Sequence, residues 1–216
     1  MDISASIMCG RVGALAEEGR LLAEAGVDSI HVDIMDGHFV PNLLFGPEIV
    51  RALNDATDVP LHAHLMVTSP GSYVEPCADA GTDVFMFHIE AEPFPLRLME
   101  RVANAGMTPG IAVNPATPLD FLRHLSAPYV LVMSVEPGFA GQKWIASGLD
   151  RIAEVRSLVS DDVIIGVDGN VSPEKAALAR DAGASLFVCG TSSVFRPQVD
   201  YRTTVADMRS TLGAIA

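Results

Sequence analysis

The dipeptide Ala-Gly recurs in this chain at one kind of place, in EAGVDSI, DAGTDVF, NAGMTPG and DAGASLF. Each copy follows a helix-like stretch and precedes an apolar run. Glycine just past a helix supplies the left-handed residue that ends it, and the β-branched and aromatic residues that follow start a strand. The glycines are Gly26, Gly81, Gly106 and Gly183, separated by 55, 25 and 77 residues. These gaps are close to two, one and three copies of a unit of about 26 residues. A chain of 216 residues therefore holds about eight such units, the repeat count of a βα barrel.

The apolar runs between helices are short and nearly unbroken: IHVDIM, DVFMFHI, YVLVMSV, VIIGVDG and SLFVCG. Runs of this kind suit strands buried on both faces of a parallel sheet. The pattern predicts strands near 2–8, 29–35, 60–66, 83–89, 108–113, 129–135, 163–168 and 185–190. Ser69-Pro70, Thr117-Pro118 and Ser172-Pro173-Glu174 each set a capping hydroxyl before a proline at a first helical position. An open doubly wound sheet does not need eight even units. The expectation is a single-domain α/β fold, a (β/α)8 TIM barrel spanning residues 1–216.

Apolar residues make up 49% of the chain, enough for a large core. The net charge of −13 leaves no basic surface for nucleic acid or an anionic membrane, so neither partner is predicted. The same field repels an anionic substrate, and local donors must overcome it. No run of eighteen apolar residues exists, and no basic start followed by an apolar stretch, which predicts a cytoplasmic location. Cys9, Cys77 and Cys189 are odd in number and widely spaced. They read as reduced, buried thiols without a disulfide frame.

Polar residues interrupt the apolar strands mostly at their C-terminal ends: Ser6, His31, Asp33, His64, His88, Asn114, Ser134, Asp168, Gly190 and Thr191. In such barrels that rim carries the active site. His31 and Asp33 are two apart and share one strand face; His64 comes from the next strand and Asp168 from the seventh. Two imidazoles and two carboxylates are a candidate site for one divalent metal ion, such as zinc, iron, manganese or cobalt. His62 reads as structural, His38 as a packing residue, and His88 as either lining the site or closing the rim.

A second constellation suits an anion. PGFAGQ (137–142) follows strand six, Asp168-Gly169-Asn170 follows strand seven directly before a helix start, and Gly190-Thr191-Ser192-Ser193 follows strand eight. Backbone donors in such loops, with a helix N-terminus, form the usual phosphate cradle of these barrels. Met35, Met66 and Met133 also lie at strand ends. They are core filling by default, or a polarizable floor under a planar, electron-rich intermediate.

In order and spacing, ISASIMC, HVDIMDGHFVPN, HLMV, FHIEA, NPATPL, MSVEPGFAGQ, VDGNV and CGTSSVF resemble the ribulose-phosphate 3-epimerase family, from Ile3 to about Phe195. HVDIMDGHFVPN and PGFAGQ carry most of the specificity. The resemblance implies a metal-dependent isomerase acting on a phosphorylated ketose, D-ribulose 5-phosphate first. It implies one divalent metal (zinc, iron, manganese, cobalt or magnesium) held by His31, Asp33, His64 and Asp168. Asp33 and Asp168 are implied as acid and base on opposite substrate faces, with Ser6, His64, Met35, Met66 and Met133 at the substrate. Gly138, Phe139, Ala140, Gly141, Gly169, Asn170, Gly190 and Thr191 are implied around the phosphate, and the assembly as a homo-oligomer.

The chemistry agrees with the residues. Inverting a carbon beside a carbonyl removes a proton from one face and returns one to the other, which calls for two carboxylates. Common ribulose-phosphate epimerases read NPGFGGQ, VDGG and GS where this chain has EPGFAGQ, VDGN and GT, and a Glu where it has Gly166. SIMC, GFAGQ and GTS resemble the allulose-6-phosphate 3-epimerase branch, so a hexose phosphate stands beside the pentose. A metal-assisted decarboxylase or aldolase-like barrel and a non-catalytic phosphate-binding barrel are the readings of other classes.

Overall fold

The computed structural model describes residues 1–213; the last three residues of the predicted 1–216 span lie outside the described residues. Eight strands form the barrel: β1 (Asp2–Ser6), β2 (Ser29–Asp36), β3 (Leu61–Met66), β4 (Val84–His88), β5 (Thr108–Val113), β6 (Tyr129–Met133), β7 (Ile164–Asp168) and β8 (Leu186–Cys189). Each pairs in parallel with the next, and β1 pairs with both β2 and β8, which closes the ring. A two-residue strand, Leu43–Leu44, adds an antiparallel flap on the end of β2. The predicted closed barrel is the fold found.

The repeat has a physical origin. Gly26, Gly81, Gly106 and Gly183 all adopt positive φ, between 84° and 113°, so each ends its helix in the left-handed conformation that side chains resist. Asp28 and Asp83 stand two residues after such a glycine. Their carboxylates accept from Ile3 N–H and Leu61 N–H, each at 2.7 Å, and so fasten the start of the neighbouring strand.

Seven α-helices surround the ring among the described residues: α1 (Leu15–Ala25), α2 (Pro47–Asn54), α3 (Val74–Asp79), α4 (Pro95–Asn104), α5 (Gly148–Leu158), α6 (Pro173–Asp181) and α7 (Tyr201–Gly213). Between β5 and β6 only the 3-10 turn Asp120–Arg123 forms. Of the three predicted hydroxyl caps, Ser172 alone accepts a helical N–H, from Lys175. Ser69 precedes a 3-10 turn and makes no cap bond. Thr117 turns its hydroxyl to the Glu90 carboxylate, a charge-assisted partner stronger than a helix end. The first strand is also shorter than predicted, because Ile7–Cys9 turn into a 3-10 helix.

Strand residues facing the helices are uniformly apolar and join one core with Ile30, Val32, Leu65, Phe85, Phe87, Ile165 and Phe187. The barrel interior is divided. Its β4–β8 side holds an apolar cluster of Val84, Met86, Ala112, Leu131, Met133, Leu186 and Val188. Its β1–β3 side is buried and polar: Ser4, Ser6, Ser29, His31, Asp33, His62 and His64. Polar groups placed there need partners, and most find them in one another, although His31 Nδ1 and His62 Nδ1 have none.

Candidate active site

Strand register assembles the polar wedge. Ser6 lies beside His31 and Asp33 beside His64. Across the ring, Asp168 pairs with Met133. His31 Nε2 stands 3.2 Å from His64 Nδ1 and 3.3 Å from Asp33 Oδ1; His64 Nδ1 stands 3.2 Å from the same oxygen. Asp168 Oδ2 completes the group at 3.8 Å from His31 Nε2 and 3.6 Å from His64 Nδ1. The second Asp33 oxygen accepts from Ser6 Oγ at 2.9 Å.

These four donor atoms fit a divalent ion. A tetrahedral ion with bonds of 2.0–2.1 Å separates its ligand atoms by about 3.3 Å, close to the spacings found, and all four lie within 4.8 Å of one another. Nitrogen and carboxylate oxygen suit zinc, iron, manganese and cobalt alike. Two ring nitrogens and two carboxylates converging on one point have too few protons to satisfy one another, and a cation supplies what they lack.

The two carboxyls differ. Burial raises both, but at Asp33 the charge and hydrogen bond of His31, with the His64 ring beside it, outweigh it and hold the group below its ordinary range. Burial wins at Asp168, opposed by His31 and reinforced by the Asp33 charge, so its pKa is raised. His31 is pushed down by burial and pulled up more strongly by Asp33 and Asp168.

Above the cluster opens a single cleft. Ser6, Asp33, Met35, Met66, Met133 and Asp168 form its floor, and Gly138–Gly141, Gly169, Asn170, Gly190 and Thr191 one wall. His31 and His64 lie beneath, fully buried and off the cleft surface. Ser6, Asp33, Asp168, the three methionines and the anion-loop residues thus line one cavity with His31 and His64 directly beneath it, whereas His38, His62, His88, Asn114 and Ser134 do not line it.

Side chains stitch the loops together. Asn42 Nδ2 donates to Gly138 O at 2.9 Å, tying the β2 loop to the β6 loop. Asn170 Nδ2 donates to Gln142 O at 2.7 Å, and Ser192 Oγ donates to Asn170 Oδ1 at 2.6 Å. One asparagine therefore joins the loops after β6, β7 and β8. Its φ of 47° is the left-handed region, which Asn tolerates better than most residues.

Met8, Cys9, Gln142 and Ser192 also line the cleft, although sequence reasoning gave them no role there. Gln142 and Ser192 lay inside motifs already noted. Met8 and Cys9 reach the cleft only because the strand turns at Ile7. Cys77 and Cys189 are buried as expected, whereas Cys9 is half-buried, and all three are free thiols.

The profile of the ribulose-phosphate 3 epimerase family matches residues 2–195. The chain belongs to that family. Ribulose-phosphate 3-epimerase of Bacillus subtilis (strain 168) is 39% identical over 215 residues, covering 97% of this chain and 98% of the relative. The Methanocaldococcus jannaschii ribulose-phosphate 3-epimerase is 41% identical over 214 residues, with 97% and 90% covered. Membership makes the protein an isomerase, an epimerase with a cluster able to hold a metal ion. More distant solved structures share the fold alone. A 3-hexulose-6-phosphate synthase aligns at a TM-score of 0.71 with 16% identity, covering 98% of this chain and all of that one. Orotidine 5'-phosphate decarboxylase from Pyrococcus horikoshii OT3 aligns at 0.72 with 14% identity, covering 99% and 100%. No helix among the described residues is long and apolar enough to cross a membrane.

Proposed function

We propose that the protein interconverts D-ribulose 5-phosphate and D-xylulose 5-phosphate by proton transfer between Asp33, Asp168 and carbon 3. The observation that carries this reading is the meeting of two carboxylates from β2 and β7 on one cleft floor, beside a wall of backbone donors. One carboxylate takes the C3 proton, leaving an enediolate; the other delivers a proton to the opposite face. Ser6 holds Asp33 in place through its hydroxyl. Met35, Met66 and Met133 keep water from the planar intermediate.

His31, Asp33, His64 and Asp168 would hold the divalent metal, which when bound supplies Lewis-acid polarisation of the substrate carbonyl. Gly169, Asn170, Gly190, Thr191 and the 138–141 turn would bind phosphate through backbone N–H groups, aided by the N-terminus of α6. That grip sets which carbon lies between the aspartates.

Ala140 and Thr191 favour one second reading, a D-allulose 6-phosphate 3-epimerase, because both line the cleft and lie in motifs that resemble that branch. Measuring kcat/KM on both sugars with defined metals decides between them; a hundredfold preference for the hexose would replace the pentose assignment. In heavy water, deuterium must enter at C3 without loss of carbon. Loss of carbon would remove the epimerase reading in favour of a decarboxylase or aldolase.

A further inference from the structure

The metal cluster does not end at its four donor atoms. On the side of His64 away from the other three donor atoms, Nε2 meets His88 Nε2 at 2.9 Å. The ring centroids are 5.0 Å apart and the planes differ by 24°, so the imidazoles meet edge to edge as hydrogen-bonded partners. The far nitrogen of His88, Nδ1, faces Glu90 Oε2 at 3.3 Å. The other oxygen of Glu90 accepts from Asn114 N–H at 2.9 Å and from the Thr117 hydroxyl. His88 is fully buried and the Phe39 ring packs against it, with centroids 4.8 Å apart.

We propose that His88 and Glu90 are positioning residues, fixing His64 in the tautomer whose Nδ1 lone pair faces the metal. The direction follows from what each group can do. The Glu90 carboxylate can only accept, so His88 Nδ1 carries a hydrogen and donates to it. A neutral His88 then presents a lone pair at Nε2, and His64 donates to it from its own Nε2. His64 Nδ1 is left bare, aimed at the point where the donor atoms converge. The reverse order would place the His88 Nδ1 lone pair against the carboxylate, acceptor against acceptor, with no room for a mediating water. Outer-shell partners of this kind orient metal-bound histidines in general. Here the chain runs from β3 through β4 to the loop after β5, and Thr117 belongs to it. His31 has no counterpart, since its Nδ1 is buried without a partner.

The inference rests on His64 being a metal ligand, as read above, but its test does not depend on turnover or sugar. Nitrogen-15 spectra of the zinc-loaded, full-length protein should show His88 with its proton on Nδ1 and a bare Nε2. In Glu90→Gln, the Asn114 N–H and Thr117 hydroxyl claim the amide oxygen, so the amide NH2 faces His88 Nδ1. The chain then reverses and the His64 proton moves to Nδ1. Zinc affinity, measured by competition with a chelator, should fall roughly 10- to 100-fold. A wild-type His88 protonated on Nε2 overturns the proposal. So does a folded Glu90→Gln protein with unchanged tautomer and zinc affinity. Should that variant not fold, the wild-type spectrum decides alone.

Discussion

Both oxygens of Asp33 have partners, Ser6 on one and the two imidazoles on the other, while Asp168 is held at longer range and carries the raised pKa. Replacing either carboxylate by an amide keeps its size and removes its proton chemistry. Asp33→Asn and Asp168→Asn should each lower kcat by roughly 10^3-fold or more at saturating metal, with an unchanged circular dichroism spectrum. Near-normal turnover in either variant would take that residue out of the reaction. His62 gives a different kind of prediction. It is buried, its Nδ1 has no partner, and burial with the His31 charge pushes its pKa down from 6.5 to about 3. The unfolded chain takes up this proton below 6.5 while the folded protein stays neutral there, so stability falls as pH drops. The loss is about 1.4 kcal/mol per pH unit, on the order of 2 kcal/mol between the unfolded pKa and about pH 5. His62→Gln should flatten the urea-unfolding free energy over that window; parallel curves for the two proteins would refute the account. The four cluster residues were legible in the sequence because strand alternation and rim position confine them. The role of His88 was not, because a hydrogen bond between neighbouring strands depends on rotamers that spacing does not specify.

Among the elements, the strands were readable because burial on both faces leaves little choice of residue, and the period survives in their glycine stops. The helix expected after β5 was not to be found, although its Thr-Pro signal matched that of a cap. NPATPL carries two prolines within four residues, and the Glu90 carboxylate takes the threonine hydroxyl. A side-chain partner from another unit is invisible to local pattern. Two departures from the family pattern become intelligible here. A Cβ on Gly166 would meet Leu131 Cδ1 and Leu186 Cδ2 at 2.8 Å, so flanking leucines occupy the space a larger residue would need. Asn170, in place of glycine, keeps the left-handed backbone and adds two inter-loop hydrogen bonds. Asn170→Gly keeps the backbone and removes the bonds. It should loosen the anion wall, raising KM for the phosphorylated sugar roughly tenfold while kcat stays within about twofold. An unchanged KM would show that the bridges do not shape the phosphate site.

Across the whole molecule, the candidate metal ligands come from β2, β3 and β7, so an ion bound there links segments from residue 31 to residue 168. Unfolding must break that link, and an unfolded chain scatters the four donors. Binding to the folded state alone adds RT ln(1 + [M]/Kd), about 2.7 kcal/mol at a hundredfold excess over Kd. For a chain of this size, 1 kcal/mol moves Tm by about 2–4 °C. Removing metal with a chelator should therefore lower Tm by roughly 5–10 °C and abolish epimerisation, and restoring a divalent ion should recover both. The buried cluster without its ion keeps two carboxylates and two imidazoles facing one another at 3.2–3.8 Å. The same barrel thus holds a built-in electrostatic penalty that the cation removes. In Asp168→Asn one ligand charge is gone, so the metal-dependent rise in Tm should shrink. An identical melting curve with and without verified metal would separate the cluster from any metal role and leave the two aspartates as the only acid and base.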